Sequence, residues 1–582
     1  MNRGVAISPG VAVARAYRID ETLARHDPAI LDAAALSAEV NRFEQACGAA
    51  GAELDAIIER VSRQVGEAEA SIFRAHRQQL RDPSLIGKIT SLILDQKLDA
   101  RTALKRALED YTAMFERIAD SYLRERLADL RDVIQRIDAQ LAAEIPVSLQ
   151  ENESVILVVP EILPSHAVMF GRVHVAGILT ELGGPTGHAA ILARSLGIPA
   201  VSGVKGVCTL VHTGDLVALD GREGVVHIRP GAEVEAAYRK LQREYFDLRD
   251  RLVENRDQEA VTRDGEHVEL LANINNAADA ASAGQVGAVG VGLYRTEYLF
   301  LTHPSVPTEE EQFAAYRAAI EAAPNRAVTI RTLDLGGDKM VPYIARFHEA
   351  NPFMGWRSVR LSSAYPEFFQ TQLRAIVRAA ATGDVKVLFP MISTVEELRQ
   401  LKLMLARARD ELARRRQEHA GEIPVGVMIE VPAAAICIDD LLDEVDFVSL
   451  GTNDLIQYVM AADRDNPKVA HLCEPFSPAI FRLIHRVITP CLRRNKPVTV
   501  CGEMAGRPRC VLPLFAMGLR SFSMSPAFVP TTKQVIRSID QRTAREILDL
   551  VLPMRTIAEV KTYLTQAVRQ LCPDVAFLDT FE

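Results

Sequence analysis

The sequence predicts a multidomain α/β chain that ends in a (β/α)8 barrel, and three observations carry that prediction. Short apolar runs recur at 268–274, 288–293, 328–333, 387–391, 425–429, 447–450, 498–500 and 522–524, mostly separated by amphipathic helical segments. Eight strands alternating with helices in about 320 residues fit a parallel barrel. Polar residues of chemical interest follow these runs: Arg295, Arg331 and Asp334, Glu430, Asn453 and Asp454, Cys501 and Glu503. Barrel enzymes carry their chemistry at that rim, whereas an open doubly wound sheet would concentrate it at one switch point. The chain ahead of the barrel also changes character twice, from helical to Val- and Gly-rich and then to a charged helix.

Taken in order, residues 1–20 read as strand-forming, with Val11, Val13 and Tyr17 alternating after Ser8-Pro9-Gly10. Residues 21–146 turn helical. Leu54, Ile57, Ile58, Val61 and Val65 fall at helical spacing, as do Leu123, Leu127, Leu130, Ile134, Ile137 and Leu141, which predicts a bundle of about four helices. Past Ile145-Pro146, residues 147–231 carry short Val-rich runs typical of a compact α/β unit. Residues 232–260 form a charged helix with Leu241, Leu248 and Leu252 on one face, suited to a linker, and 261–582 are the barrel.

Composition narrows the function classes. Of 582 residues, 48% are hydrophobic and 25% charged, an ordinary globular balance with ample material for large cores. The net charge of −9 argues against binding nucleic acid by bulk charge, and Arg414–Arg416 reads as a solvated helix face. The 8 cysteines include no CxxC pair, which fits a reducing compartment rather than a disulfide framework or zinc ribbon. No leader-like apolar segment opens the chain and no run approaches a membrane span, so a cytoplasmic protein is the expectation.

The sharpest local feature is residues 183–194, a Gly- and Pro-rich turn leading into an Ala-rich helix, with His188 near the helix start. Backbone N–H groups at such a terminus favour an anion, so a phosphate carried on His188 would be stabilised. The same field keeps the imidazole neutral, as a nucleophile requires. A capping or packed histidine is the plainer reading among 13 histidines. Arg194 lies farther along the helix.

Arg295, Arg331, Arg357, Arg360 and Arg464 sit in Gly- or Asn-rich contexts. Such guanidiniums supply the forked donors that a phosphorylated acid needs. Arg360 reads equally as a structural ion-pair partner, and Lys339 as site or surface. Glu430 and Asp454 each follow an apolar strand, and two carboxylates with phosphate oxygens make a plausible Mg2+ site. Asn453 could bond a phosphate or simply shape its turn. Cys501, at a strand end, is a candidate acid or nucleophile, although most cysteines are small buried hydrophobes.

These segments resemble a known family. Residues 183–203 (GGPTGHAAILARSLGIPAVSG) look like the phosphohistidine loop of the phosphoenolpyruvate-utilising enzymes. Residues 290–300, 331–339, 351–360, 388–397, 428–435, 447–466, 501–506 and 517–526 resemble, in order, the motifs of the phosphoenolpyruvate-binding barrel of enzyme I of the bacterial sugar phosphotransferase system. Residues 6–10, 71–76 and 123–132 resemble its opening and its carrier-binding helical domain, so the likeness covers almost the whole chain.

The resemblance implies a phosphohistidine swivelling domain (1–20 with 147–231), an inserted helical domain for the small carrier HPr (21–146), a linker helix (232–260) and a barrel that pairs as a homodimer. It makes His188 the phosphoryl acceptor and Cys501 the proton donor. Arg295, Arg331, Arg357, Asn453, Asp454 and Arg464 would hold phosphoenolpyruvate, with Glu430 and Asp454 on Mg2+. Departures are Gly187 where Ser or Thr is usual, Pro185, Tyr294 for Leu and Val431 for Thr. None removes a charged role. A dikinase or phosphoenolpyruvate synthase would need a nucleotide-binding domain ahead of the histidine, and the helical segment there has no P-loop or Gly-rich nucleotide loop. Two rivals stay open. One is a nitrogen-regulatory form of enzyme I, which differs mainly in its carrier. The other is a non-catalytic carrier-binding regulator, which the loss of His188, Glu430, Asp454 or Cys501 would have signalled; all four are present.

Overall fold

The computed structural model describes residues 2–8, 10–18, 31–32, 35–64, 74, 76–116, 130–131, 133–138, 140–141, 154–160, 174–181, 193, 198–303, 305–336, 351, 354–464, 466 and 468–578. The chain divides into two compact units, Met1–Tyr245 with Thr580–Glu582, and Phe246–Asp579.

In the first unit, strands β1 (Asn2–Arg3), β2 (Val5–Ser8) and β3 (Val11–Arg18) join β4 (Val155–Val159), β5 (Val175–Thr180), β6 (Ala200–Ser202), β7 (Leu216–Asp220) and β8 (Val225–Ile228). Their order is β1-β8-β7-β3-β4-β5-β6-β2. Strands β3 to β6 run parallel, and the others pair antiparallel. Every residue of β4 is buried, as expected of a parallel strand covered on both faces.

One N-terminal segment supplies both edges of this sheet, with Gly4 alone between β1 and β2. The Gly4 N–H donates to Gly224 O at 2.8 Å. A Cβ at residue 4 would stand 2.3 Å from Ser202 O, so only glycine permits the crossing.

A helical layer is inserted between the adjacent strands β3 and β4. Its helices Leu36–Gln64, Pro83–Gln96 and Ala100–Glu116, with helical residues between 130 and 141, share a core that includes Phe43, Leu54, Ile89, Leu104 and Ile137. Asp82 caps the second helix, its side chain accepting from Ser84 N at 2.8 Å. Arg101 pairs with buried Asp138 at 2.6 Å and ties the third helix to the last helical turns. Residues 65–73 and 117–129, which hold parts of the 71–76 and 123–132 motifs, lie outside the described residues. Helix Ala232–Glu254 crosses the division between the units and ends in a 3-10 turn, Asn255–Asp257.

The second unit is a closed, all-parallel eight-stranded barrel: β9 (Glu269–Ile274), β10 (Val291–Arg295), β11 (Ala327–Arg331), β12 (Asp384–Phe389), β13 (Val425–Ile429), β14 (Phe447–Leu450), β15 (Val498–Val500) and β16 (Ser521–Met524). Each apolar run becomes a strand; those at 425–429, 447–450 and 498–500 keep their bounds, and the other five shift at one or both ends. The fourth stops at Phe389 because Pro390 has no N–H to give and Met391 takes a left-handed φ of 57°. The second starts at Val291, three residues into the run, although the Val289 N–H already reaches Leu270 O on β9 at 2.9 Å. All eight cysteines are free thiols. Among the described residues, no helix is long and apolar enough to cross a membrane.

Candidate active site

The barrel gathers a dense set of buried charges at the C-terminal ends of its strands. Arg331 ends β11 and is 5% exposed. Its guanidinium bonds the Glu297 carboxylate and stands 3.3 Å from Asp334 Oδ2. Burial alone would lower its pKa, but the charges on Glu297, Asp334, Glu430 and Asp454 raise it instead.

Arg357 is buried to 2% exposure and donates to both oxygens of Asp334, at 3.1 and 3.0 Å. It lies 3.7 Å from Asp454 Oδ2 and donates to the Tyr458 hydroxyl at 3.2 Å. Gly336, at φ 117°, makes room for it: a Cβ there would be 2.4 Å from Arg357 Cβ.

Arg295 closes β10 half-buried. Burial, and next the charge on Arg331, lower its pKa. Among the described residues it has no ion pair, so its positive charge remains for an anion.

The carboxylates complete the set. Glu430, just past β13 and 1% exposed, accepts from Met391 N at 2.7 Å. Burial, and then the charges on Asp454 and Asp334, push its pKa up to about 8. Asp454 lies in the first turn of helix Thr452–Met460. Among the described residues its Oδ1 accepts no hydrogen bond, and Arg464 stands 3.8 Å away. Asn453 Oδ1 accepts from Glu503 N at 2.9 Å, which leaves its Nδ2 as the donor end.

Cys501 follows β15 with 2% exposure. Its N–H and thiol both reach Leu450 O, at 3.0 and 3.4 Å. It belongs to an apolar cluster inside the barrel with Leu293, Leu388, Met428 and Phe447. Burial pushes its thiol up to about 11, so it carries its proton at neutral pH.

Arg331, Arg357, Glu430, Asp454 and Arg464 thus join one ion-pair and charge network, with Arg295 beside Arg331 and Asn453 anchoring Glu503 next to Cys501. Arg360 instead binds the carbonyls of Met354 and Gly355, a structural role. His188, Arg194 and Lys339 lie outside the described residues.

Sequence reasoning passed over Glu297, two residues past Arg295, and Tyr458. It also passed over the buried brace behind Arg331. In that brace Thr296 Oγ1 donates to Arg331 O at 2.9 Å, and Gln372 donates to Thr296 Oγ1 at 3.1 Å and accepts from Leu333 N at 2.9 Å.

The network also bears on a metal. Around Arg331 stand four carboxylates, Glu297, Asp334, Glu430 and Asp454, and Arg357 is the second buried guanidinium paired with them. Burial and the charges on Asp454 and Asp334 disfavour the charged form of Glu430, and a cation held between Glu430 and Asp454 would relieve that repulsion. Among the described residues no three His, Cys, Asp or Glu side chains converge as a metal cage. Glu430 and the unbonded Asp454 Oδ1 therefore suit Mg2+, which is commonly held by one or two carboxylates with substrate oxygens and water completing its shell.

Comparison with known proteins matches three stretches of the chain. The profile of the PEP-utilising enzyme PEP-binding domain matches residues 249–541, that of the PEP-utilising enzyme mobile domain matches 151–224, and that of the PEP-utilising enzyme N-terminal region matches 3–126. A phosphoenolpyruvate-protein phosphotransferase of Bacillus sp. (strain S) is 42% identical over 96% of this chain and 97% of its own length. That of Bacillus subtilis (strain 168) is 39% identical over 97% of this chain and 99% of its own. A solution structure of an enzyme I protein covers 42% of this chain and 99% of its own, at 32% identity and a TM-score of 0.32.

Proposed function

We propose how phosphoryl transfer proceeds in this chain, which belongs to the PEP-utilising enzymes and, among them, to the phosphoenolpyruvate-protein phosphotransferases. It takes the phosphoryl group of phosphoenolpyruvate, releases pyruvate, and passes the group to a small histidine-bearing carrier, the entry step of phosphotransferase-system sugar uptake. One observation carries the mechanism: the buried Arg331–Arg357–Glu430–Asp454 network at the barrel mouth, with the protonated Cys501 thiol on the adjoining strand end.

Phosphoenolpyruvate is a trianion near neutral pH. Arg295, Arg331, Arg357 and Arg464 receive its phosphate and carboxylate, assisted by Asn453 Nδ2, and Arg357 also holds Asp334 and Asp454 in place. Guanidiniums fixed in advance toward the equatorial oxygens need no reorganisation as the P–O bond breaks. Glu430 and Asp454 are the residues that would hold Mg2+; when bound, the ion supplies Lewis-acid polarisation of the phosphoryl oxygens.

His188 Nε2 or Nδ1 attacks phosphorus, the bridging oxygen leaves with the electron pair, and enolpyruvate remains. The Cys501 S–H bond then breaks, a C–H bond forms at the methylene carbon, and the thiolate regains its proton from solvent. Residues 1–20 with 147–231 act as the swivelling domain, 21–146 receive the carrier, and residues 232–260 are the swivel. The barrel unit pairs with a second copy.

With a purified HPr-type carrier, phosphoenolpyruvate and Mg2+, pyruvate release coupled to lactate dehydrogenase is expected to stop at one pyruvate per carrier histidine. Release that continues past that stoichiometry would identify a hydrolase instead.

Cys501 gives a pH prediction. A thiol raised to about 11 is protonated below that pH, so the donor form persists through the neutral range and is lost only as pH climbs through the raised value. At pH 8 its thiolate fraction is about one in a thousand. Iodoacetamide at pH 8 is therefore expected to label exposed Cys437 and spare Cys501, read by peptide mass spectrometry. Rapid, selective alkylation of Cys501 would contradict the assignment of a protonated donor.

A further inference from the structure

The interior of the barrel is not uniform beneath Cys501. In one part of it Cys501 shares an apolar cluster with Leu293, Leu388, Met428 and Phe447. In another, small polar side chains bond one another. Ser523 Oγ on β16 donates to Asn273 Oδ1 on β9 at 2.6 Å, and Asn273 Nδ2 donates to the Cys501 carbonyl at 2.9 Å.

The Cys501 carbonyl decides the amide's orientation: it can only accept, so Nδ2 faces it, and Oδ1 is left to accept the Ser523 hydroxyl proton, which holds the amide in place. Strand β10 leaves space for the pair, since a Cβ on Gly292 would stand 2.5 Å from Ser523 Oγ.

Among the described residues, the backbone of Cys501 is otherwise held from the β14 side, where its N–H and thiol share Leu450 O. The next anchor, Asn453 Oδ1 on Glu503 N, also comes from that side. Asn273 is thus the hold from the opposite side. It reaches across β16, which lies between β15 and β9 in the barrel.

We propose that Asn273, held in place by Ser523, is a positioning residue for proton delivery: it fixes the carbonyl of Cys501 and so the direction in which the thiol meets the substrate's methylene carbon. The inference rests on the reading of Cys501 as the proton donor. Proton transfer to carbon is sensitive to such placement, and a misplacement of about 1 Å can cost about 100-fold.

The test isolates proton transfer from phosphoryl transfer. In D2O with pyruvate and Mg2+, the Cys501 thiolate takes a methyl proton and leaves enolpyruvate, the new S–H exchanges to S–D with solvent, and the deuteron returns to the carbon, so loss of the methyl proton signal in NMR reports this residue. The wild type should exchange the methyl protons and Cys501→Ser should not. Asn273→Ala is expected to slow exchange about 10- to 100-fold while phosphoenolpyruvate affinity, measured by calorimetry with Mg2+, changes less than about threefold. Ser523→Ala, a milder change, should slow exchange in the same direction with Asn273 retained.

Exchange at the wild-type rate in both Asn273→Ala and Ser523→Ala, with Cys501→Ser inactive, would overturn the positioning role alone. So would equal loss of exchange and of phosphoenolpyruvate affinity. Exchange that survives Cys501→Ser would overturn the donor assignment and this inference with it.

Discussion

Replacing Arg331 by Lys is expected to lower kcat/KM for phosphoenolpyruvate by about 10²–10³, roughly 3–4 kcal/mol of transition-state stabilisation. The positive charge survives, so the neighbouring Glu297 and Asp334 keep a counter-ion and the barrel should still fold. What is lost is the planar fork, which in this structure serves two carboxylates from different elements and must also present an N–H to the substrate. Lysine, a single point charge on a flexible stem, can satisfy one of these at a time. Arg331→Ala is the poorer probe. It strands buried carboxylates without a partner, a change that costs about 3–5 kcal/mol in stability and would confound the kinetics. Steady-state kinetics beside a thermal melt separate the effects: a large fall in kcat/KM with a modest change in Tm is expected, and kinetics within threefold of wild type would remove Arg331 from the substrate site.

Asp454→Asn carries the second large effect. The substitution keeps shape and removes one charge from the pair assigned to Mg2+. Phosphoryl transfer at fixed Mg2+ is expected to fall by about 10²–10³, consistent with several kcal/mol of charge stabilisation from a bound cation. Raising Mg2+ should restore part of the rate, and chelating it should abolish the wild-type reaction. The fold should not suffer. The Asp454 charge is, after burial, the leading cause that raises the Glu430 pKa, so its removal relieves repulsion among buried carboxylates. An unchanged or higher Tm together with lost activity is the expected signature, the pattern of a site that trades stability for function. A variant that loses activity and melts early, with no response to Mg2+, would mean that Asp454 braces Arg357 and binds no ion.

Both predictions draw on residues that the sequence displayed. Arg331, Glu430, Asp454 and Cys501 were legible because a parallel barrel sends the residue after each strand to one rim, so apolar runs ending in charge mark the site before any contact is known. The strand count was legible for the same reason. Strand ends were less so: the left-handed Met391 that ends one strand and turns its N–H to Glu430 has no local signal, since methionine rarely adopts that conformation.

Partners were the least legible. Glu297, Tyr458 and Gln372 contact Arg331, Arg357 and Thr296 across 34, 101 and 76 residues of sequence, so no window of the chain could pair them. Asn273 was hidden differently, as one of three asparagines at 273, 275 and 276 whose plain reading is a strand-end turn. Only the closure of the barrel, which sets β9 beside β16 and that beside β15, brings it to Cys501.

The central claim is that this chain carries the phosphoryl group on His188 between phosphoenolpyruvate and the carrier. The most direct measurement is transfer of label from ³²P-phosphoenolpyruvate to the purified full-length protein with Mg2+, beside His188→Ala. The account predicts one acid-labile, base-stable label per chain in the wild type, none in His188→Ala, and release of that label on adding an HPr-type carrier. A folded wild-type protein that takes no label, or a His188→Ala variant that takes as much, would contradict it.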